Sequence, residues 1–316
     1  MADLDVATSE NDIEQSIAQV YIQILYAAES VKVNENTLQV SEAQRDRGKQ
    51  LLDARSIARS DDAQLEAQVS TDRYQLETAQ ATLQDYKLQL KQLLELDGEQ
   101  EMQVYLPALG DENVLSPLPT KTDVFRSAVA LRPEIEASKL SVEASELGIG
   151  IAKSGYLPSV SLTAGIGTNH TSGSDFTFGE QVKNGWNNSI GLSISVPIFN
   201  NRQTKSAVEK AKLQYQTSQL TLLDEQKTLY KTIEGLWLDA NSAQQRYAAA
   251  IEKLHSTQTS YELVSEQFNA GMKNTVELLT EKNNLLQAQQ ELLQSKYMAI
   301  LNTQLLKFYQ GDKITL

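Results

Sequence analysis

The sequence predicts a mainly α-helical fold of long antiparallel coiled-coil hairpins with a short β-hairpin set among them. Three observations predict it. Apolar residues recur at steps of three and four through most of the chain. Ala, Leu, Gln, Glu, Lys and Ser dominate the composition, as in long solvated helices. Between Ser159 and Val196, two short runs switch to strict alternation of apolar with polar or tiny side chains.

Residues 12 to about 53 read as the first helix, with Val20, Ile24, Ala27, Val31, Leu38 and Leu52 on its apolar face. A break follows at Ala54–Ser60, and Ser60 or Asp61 is placed to cap the next helix. Leu65, Val69, Leu76, Ala79, Leu83, Tyr86, Leu90 and Leu93 form the seam of that helix, interrupted by Asp72. The pair makes a helical hairpin over residues 1–96 that ends near Leu96-Asp97-Gly98. Pro107, Gly110, Pro117 and Pro119 break any helix across a connector at 97–120, where Val104-Tyr105-Leu106 suits a short extended piece. Thr122 or Asp123 opens a leading helix over 121–157, punctuated at Pro133, with an apolar stripe of Leu140, Ala144, Leu147 and Ile151.

The β-hairpin occupies 158–199. In its first strand Val160, Leu162, Ala164 and Ile166 alternate with Ser159, Ser161, Thr163, Gly165 and Gly167. In its second, Ile190, Leu192, Ile194 and Val196 alternate with Ser189, Gly191, Ser193 and Ser195. A polar loop is expected at 169–188. Strands of roughly 9–11 residues are long enough to cross a bilayer when tilted. An ordinary hairpin with one face on a protein core gives the same alternation. Residues 200–309 form a second helical hairpin, leaving 310–316 as a tail. Its first helix runs from about Thr204 to Phe268, roughly 95 Å at 1.5 Å per residue. That helix has a regular seam through Leu229, Ile233, Leu236, Ala240, Ala243, Tyr247, Ala250, Leu254, Thr257, Tyr261, Val264 and Phe268. Its second restarts near Thr275 with paired columns Leu278/Leu279, Leu285/Leu286, Leu292/Leu293 and Ala299/Ile300. Val40-Ser41-Glu42 and Val264-Ser265-Glu266 each precede a break, which suggests internal duplication.

The net charge of −13 argues against nucleic acid as a partner, which calls for a basic footprint. The absence of cysteine excludes disulfides and thiolate metal sites. No apolar run reaches the ~18 residues of a membrane-spanning helix, and residues 1–6 carry no signal-peptide pattern. Neither His170 nor His255 sits in an arrangement that suits catalysis, and Asp97-Gly98-Glu99 is too short for a calcium loop. Asn169-His170-Thr171 fits a glycosylation sequon on three residues alone. No enzyme activity, cofactor or metal is expected.

Four motifs in order then resemble a known family. They are Leu131-Arg132-Pro133-Glu134-Ile135, Tyr156-Leu157-Pro158-Ser159-Val160-Ser161-Leu162, Gly191-Leu192-Ser193-Ile194-Ser195-Val196-Pro197-Ile198-Phe199, and Phe268-Asn269-Ala270-Gly271. Together, within a duplicated helical frame, they look like the TolC family of outer-membrane efflux proteins. The resemblance implies a homotrimer whose strands build a β-barrel in the outer membrane and whose helices build an α-barrel tunnel in the periplasm. It implies a passive exit duct for small molecules or exported protein, served by a periplasmic adaptor and an inner-membrane pump. It also implies an opening helix and a first hairpin ahead of residue 12, which this sequence does not contain. The alternative is a soluble coiled-coil scaffold with a small β-hairpin interaction element.

The resemblance assigns roles to residues. Val160, Leu162, Ala164, Ile166, Ile190, Leu192, Ile194 and Val196 would face lipid, while Ser161, Thr163, Ser193 and Ser195 would line the lumen. Tyr156, Phe176, Phe178, Trp186 and Phe199 would fall at the strand ends, where aromatic girdles belong. Ser56, Ala58, Asn269, Ala270 and Gly271 would form the periplasmic tip that contacts the adaptor, with Ser56 as the first-repeat counterpart of Gly271. A simple interhelical turn reads the same way. Asp61, Asp62, Glu277 and Glu281 would line a tunnel constriction, with Thr280 at the family's second acidic position. Acidic residues in a first helical turn also complement the helix dipole without further role. Tyr247 and Tyr261, among Ala240, Ala243 and Ala250, read as core packing. Asp72 is either a pathway residue or a side chain that reaches out to solvent.

Overall fold

The computed structural model describes residues 2–96, 102–107, 110 and 114–314. Along them run α1 (Ala2–Asp53), α2 (Arg59–Leu93), α3 (Lys121–Leu131), α4 (Pro133–Ser154), β1 (Ser159–Gly167), α5 (Phe178–Asn184), β2 (Asn187–Ser195), α6 (Gln203–Asn269) and α7 (Thr275–Gln310). The chain divides into two units, one of Met1–Glu136 with Glu225–Leu316 and one of Ala137–Asp224. The helix expected to begin at residue 12 begins at Ala2. Of the hairpin end, Asp97 and Gly98 lie outside the described residues, as does Glu99.

In the first unit, the seams meet. Ile22 and Leu25 of α1 pack with Ala243 and Tyr247 of α6 and with Tyr297, Ala299 and Ile300 of α7. Every seam position of α6 from Leu229 to Phe268 is buried or half-buried, so the three-and-four period marks the face that packs. A second apolar cluster, Leu65, Phe268 and Leu278, lies close to the two interhelical turns. Toward its turn, the buried positions of α1 become polar or tiny: Asn34, Thr37, Ser41 and Gly48. A methyl group at Gly48 would run into Leu65 Cδ1, so glycine there lets α1 and α2 approach.

The described part of the connector pairs into no sheet, Val104–Leu106 included. Its backbone carbonyls are instead bound by side chains. Tyr21 Oη donates to Tyr105 O at 2.7 Å, Gln244 Nε2 to the carbonyls of Val114 and Ser116 at 2.8 Å each, and Trp237 Nε1 to Pro119 O at 3.0 Å. Thr120, rather than Thr122 or Asp123, caps α3. Its hydroxyl accepts from the Asp123 N–H at 3.3 Å, which places Thr122 and Asp123 inside the first turn. Arg132, between α3 and α4, lies over the rings of Phe308 and Tyr309 at 4.2 and 4.1 Å and donates to Phe308 O. Burial lowers its pKa from the usual arginine value.

In the second unit, β1 and β2 pair antiparallel from Ser159↔Ser195 to Gly167↔Asn187. The loop between them is not wholly irregular. Thr177 and Glu180 close a reciprocal capping box that starts α5. Seven residues are too few to show a period, so only the Thr-x-x-Glu signature betrayed the helix. The apolar stripe expected on α4 is half-buried at Leu140 and uncovered from Ala144 to Ile151. Leu147 and Ile151 are exposed, as are Leu213 and Leu220 of α6. Ser145 and Ser218 meet through their hydroxyls at 2.8 Å, and Thr204 Oγ1 donates to Gly155 O at 3.3 Å.

Candidate functional site: a two-faced hairpin and a pair of helical turns

The hairpin register decides how its side chains are distributed. Val160 opposes Ile194, Leu162 opposes Leu192, and Ala164 opposes Ile190. Directly opposed residues share a face, so the aliphatic side chains of both strands merge into one sheet surface. Ser159/Ser195, Ser161/Ser193 and Thr163/Gly191 make the other. A slip of one residue would mix the two faces, so the register is what keeps them separate. Both faces are open. Val160, Leu162, Ile166, Ile190, Leu192 and Ile194 are 64–84% exposed. Val196 lies just past the end of β2 and is exposed as well. Tyr156, Phe176, Phe178, Trp186 and Phe199 are all exposed.

The two helical turns have the same backbone geometry. After α1, the Ser56 N–H donates to Leu51 O and the Arg55 N–H to Leu52 O, both at 2.8 Å. After α6, the Met272 N–H donates to Gln267 O at 2.8 Å and the Gly271 N–H to Phe268 O at 2.9 Å. Both are Schellman endings, with the left-handed residue at Arg55 (φ 60°) and Gly271 (φ 72°). The counterpart of Gly271 is therefore Arg55, not Ser56. This register also disposes of the tripeptide repeat. Val264-Ser265-Glu266 sits immediately ahead of its turn, whereas Val40-Ser41-Glu42 lies more than three helical turns ahead of Arg55. What the two turns share is their backbone geometry, not that match.

Each turn hands on to a helix whose N-terminus is capped by an acidic residue. Asn274 Oδ1 accepts from the Glu277 N–H at 2.9 Å, and the Glu277 carboxylate accepts from the Asn274 N–H at 3.2 Å. In the first turn, the Asp61 carboxylate accepts from the Ala58 N–H at 3.1 Å, but Ala58 has no side-chain acceptor to offer in return. Ala58, not Ser60 or Asp61, is thus the N-cap position. Glu277 also pairs with Lys273, and these donors hold its carboxyl below the usual range. Glu281 accepts from Ser260 Oγ at 2.9 Å. Thr280 donates back to Val276 O, and Asp62 Oδ1 is buried with no partner. Asn269 and Ala270 end α6 and enter the turn, both exposed. His170 meets Gln181 at 3.1 Å, and His255 lies on an exposed face of α6.

Asp72 neither reaches solvent nor lines an open path. It is buried and paired with Lys282 of α7. Ser41 of α1 bonds to both partners, and Gln68 Nε2 donates to Asp72 Oδ1 at 2.9 Å. Burial lowers the pKa of Lys282 and the contact with Asp72 opposes that shift. Reading the seams for apolar residues alone missed this cluster. The signal was a polar residue at a packing position in each of three helices.

Comparison with known proteins fixes the family. The family model described as "Outer membrane efflux protein" matches residues 124–311, more than half of the chain. The chain belongs to the outer membrane efflux protein family. Membership of this family places the chain in the outer membrane. It is 25% identical to outer membrane protein TolC of Escherichia coli K12 over 313 residues, covering 95% of this chain and 61% of that one. It is 24% identical to outer membrane efflux protein BepC of Brucella suis over 294 residues, covering 92% and 61%. The chain therefore spans about three fifths of the length of these curated relatives. Among solved structures, CusC superposes with a TM-score of 0.82 at 19% identity, covering 98% of this chain and 70% of that one. The outer membrane protein VceC of Vibrio cholerae gives 0.80 at 18% identity, covering 99% and 73%. These likenesses show a shared, mostly helical fold. In this efflux protein the hairpin and both turns, described above, are the features to which a function must be fitted.

Proposed function

We propose that this efflux protein is the outer-membrane channel component of a tripartite efflux or secretion system, a passive exit duct without chemistry. The observation that carries the reading is the hairpin register. It gathers the aliphatic side chains on one open face and Ser, Thr and Gly on the other. In this reading Val160, Leu162, Ala164, Ile166, Ile190, Leu192, Ile194 and Val196 meet lipid, and Ser161, Thr163, Ser193 and Ser195 meet a watery lumen. A two-stranded sheet leaves its edge N–H and C=O groups unpaired, which hydrocarbon does not tolerate, so the barrel must be closed by further strands. A homotrimer supplies them by symmetry. The exposed Leu147, Ile151, Leu213 and Leu220 support the same assembly, since a neighbouring copy would cover them.

The turns at Arg55–Ala58 and Asn269–Asn274 are assigned to a periplasmic adaptor, and an inner-membrane pump supplies the energy. Asp61, Asp62, Glu277 and Glu281 remain candidates for the tunnel constriction. Glu277 lies in the first turn of α7, just past the second interhelical turn. The alternative of a soluble scaffold with a β-hairpin interaction element is not adopted, because the chain belongs to the outer membrane efflux protein family. The test is extraction and conductance. A protein that needs detergent, runs as a trimer and opens ion-conducting pores in planar bilayers supports the duct. A detergent-free monomer without conductance overturns it.

A further inference from the structure

The group that the duct reading leaves unused lies between the helices, away from both turns. Asp72 and Lys282 are each 3% exposed, and Ser41 is 2% exposed. One residue comes from each of α1, α2 and α7, and Gln68 satisfies the second carboxylate oxygen. The other ion pairs in this part of the molecule differ in kind. Lys49–Glu66, Arg73–Glu42 and Lys253–Glu291 all lie at the surface, where solvent screens them. A buried pair gains little stability over well-packed apolar residues, because desolvation offsets the attraction. What it does supply is register. A polar group at a packed seam position has partners at one axial setting and none at the next. Leucine columns that repeat every seven residues, such as Leu278, Leu285 and Leu292 of α7, pack nearly as well after a slip of one heptad. An ammonium buried against a carboxylate does not.

We propose that Ser41, Asp72 and Lys282 form a register clasp that fixes α7 against the α1–α2 hairpin. The clasp thereby sets the position of the turn at 270–274 relative to the turn at 54–58. Lys282 lies about 10 Å along α7 from Thr275, and Asp72 about 20 Å along α2 from Arg59, at ~1.5 Å per residue. Between the clasp and the turns the helices are held by the apolar Leu65–Phe268–Leu278 cluster, which carries no directional preference. The clasp goes beyond the duct reading and does not depend on it.

The chain has no cysteine, so Ser56→Cys and Met272→Cys accept spin labels at these two positions alone. Distances between them, with labelled protein diluted into unlabelled protein, report the relative position of the turns. The parent is expected to give one narrow distance. Asp72→Leu with Lys282→Met removes the charges but keeps the volume. It is expected to fold and to add a second population displaced by about one heptad, roughly 10.5 Å. The charge swap Asp72→Lys with Lys282→Asp is expected to restore the single distance. A distribution in the apolar pair as narrow as the parent's overturns the clasp. So does a second population that persists in the folded charge swap. Neither readout uses conductance, so the clasp and the duct can fail separately.

Discussion

The turns at 54–58 and 270–274 share a backbone and differ in chemistry. Both end a long helix in a Schellman motif and begin the next with an acidic residue reaching back to the N-cap. In the second turn each position suits its task. Gly271 occupies the left-handed region without a Cβ, and Asn274 exchanges two hydrogen bonds with Glu277. In the first, Arg55 takes the same positive φ with a full side chain, and Ala58 caps nothing. The second turn thus has the fuller set of local bonds. The first persists because its flanks are held elsewhere, by Gly48 packing under Leu65 and by Asp72 at the clasp. Both turns share tertiary contacts, and they differ in how much local bonding each adds.

The largest expected effect breaks the contrast by striking both turns. Lys282→Met leaves the buried Asp72 charge uncompensated and should cost about 3–5 kcal/mol, read as a fall in the denaturant midpoint. Next, Gly48→Ala forces a methyl against Leu65 and should cost about 1–3 kcal/mol. Amide exchange should then rise more at 54–58 than at 270–274. Equal rises would erase the distinction between the two turns.

Smaller effects sharpen the comparison by exchanging the turns' chemistry. Asn274→Ala should cost about 1 kcal/mol, and Ala58→Asn should gain a similar amount, measured by thermal unfolding. Arg55→Gly removes the steric cost of positive φ and should stabilise by up to about 1 kcal/mol. Gly271→Arg should do the reverse. Acid should act on the second turn through Glu277, whose carboxyl lies below its usual range because Lys273 and the Asn274 N–H favour the anion. Its contribution is present above the ordinary carboxylate pKa and is lost as pH falls through its lowered value. An NMR titration of Glu277 that finds an ordinary carboxylate pKa would contradict this.

Much of the helical frame is legible in the order of the residues. The seam of α6 from Leu229 to Phe268 is the face that packs, because a long coiled helix must repeat its apolar residues at the period of its own turns. The two strands were legible for the matching reason at period two. Their register follows once the greasy faces must coincide, as Val160↔Ile194 and Leu162↔Leu192 do. What periodicity could not supply were the features whose partners are distant or non-repeating. The α5 helix is shorter than any detectable period. Thr120 rather than Thr122 caps α3 because one residue's backbone angles decide it. The tripeptide match between the repeats proved misleading because two helices can share letters out of register. Arg55 as the counterpart of Gly271 emerged only from the φ angles.

The sequence by itself determined which surfaces are greasy, since the order of apolar and polar residues converts directly into faces once helix and strand geometry are given. Tertiary structure decided what becomes of those faces. The same kind of aliphatic stripe is buried on α6 beyond Leu229 and left open on α4 at Leu147 and Ile151. The same kind of carboxylate caps a helix at Glu277 and locks three helices at Asp72. Burial and charge pairing depend on what another part of the chain brings within a few ångströms, and a local pattern of residues does not contain that distance.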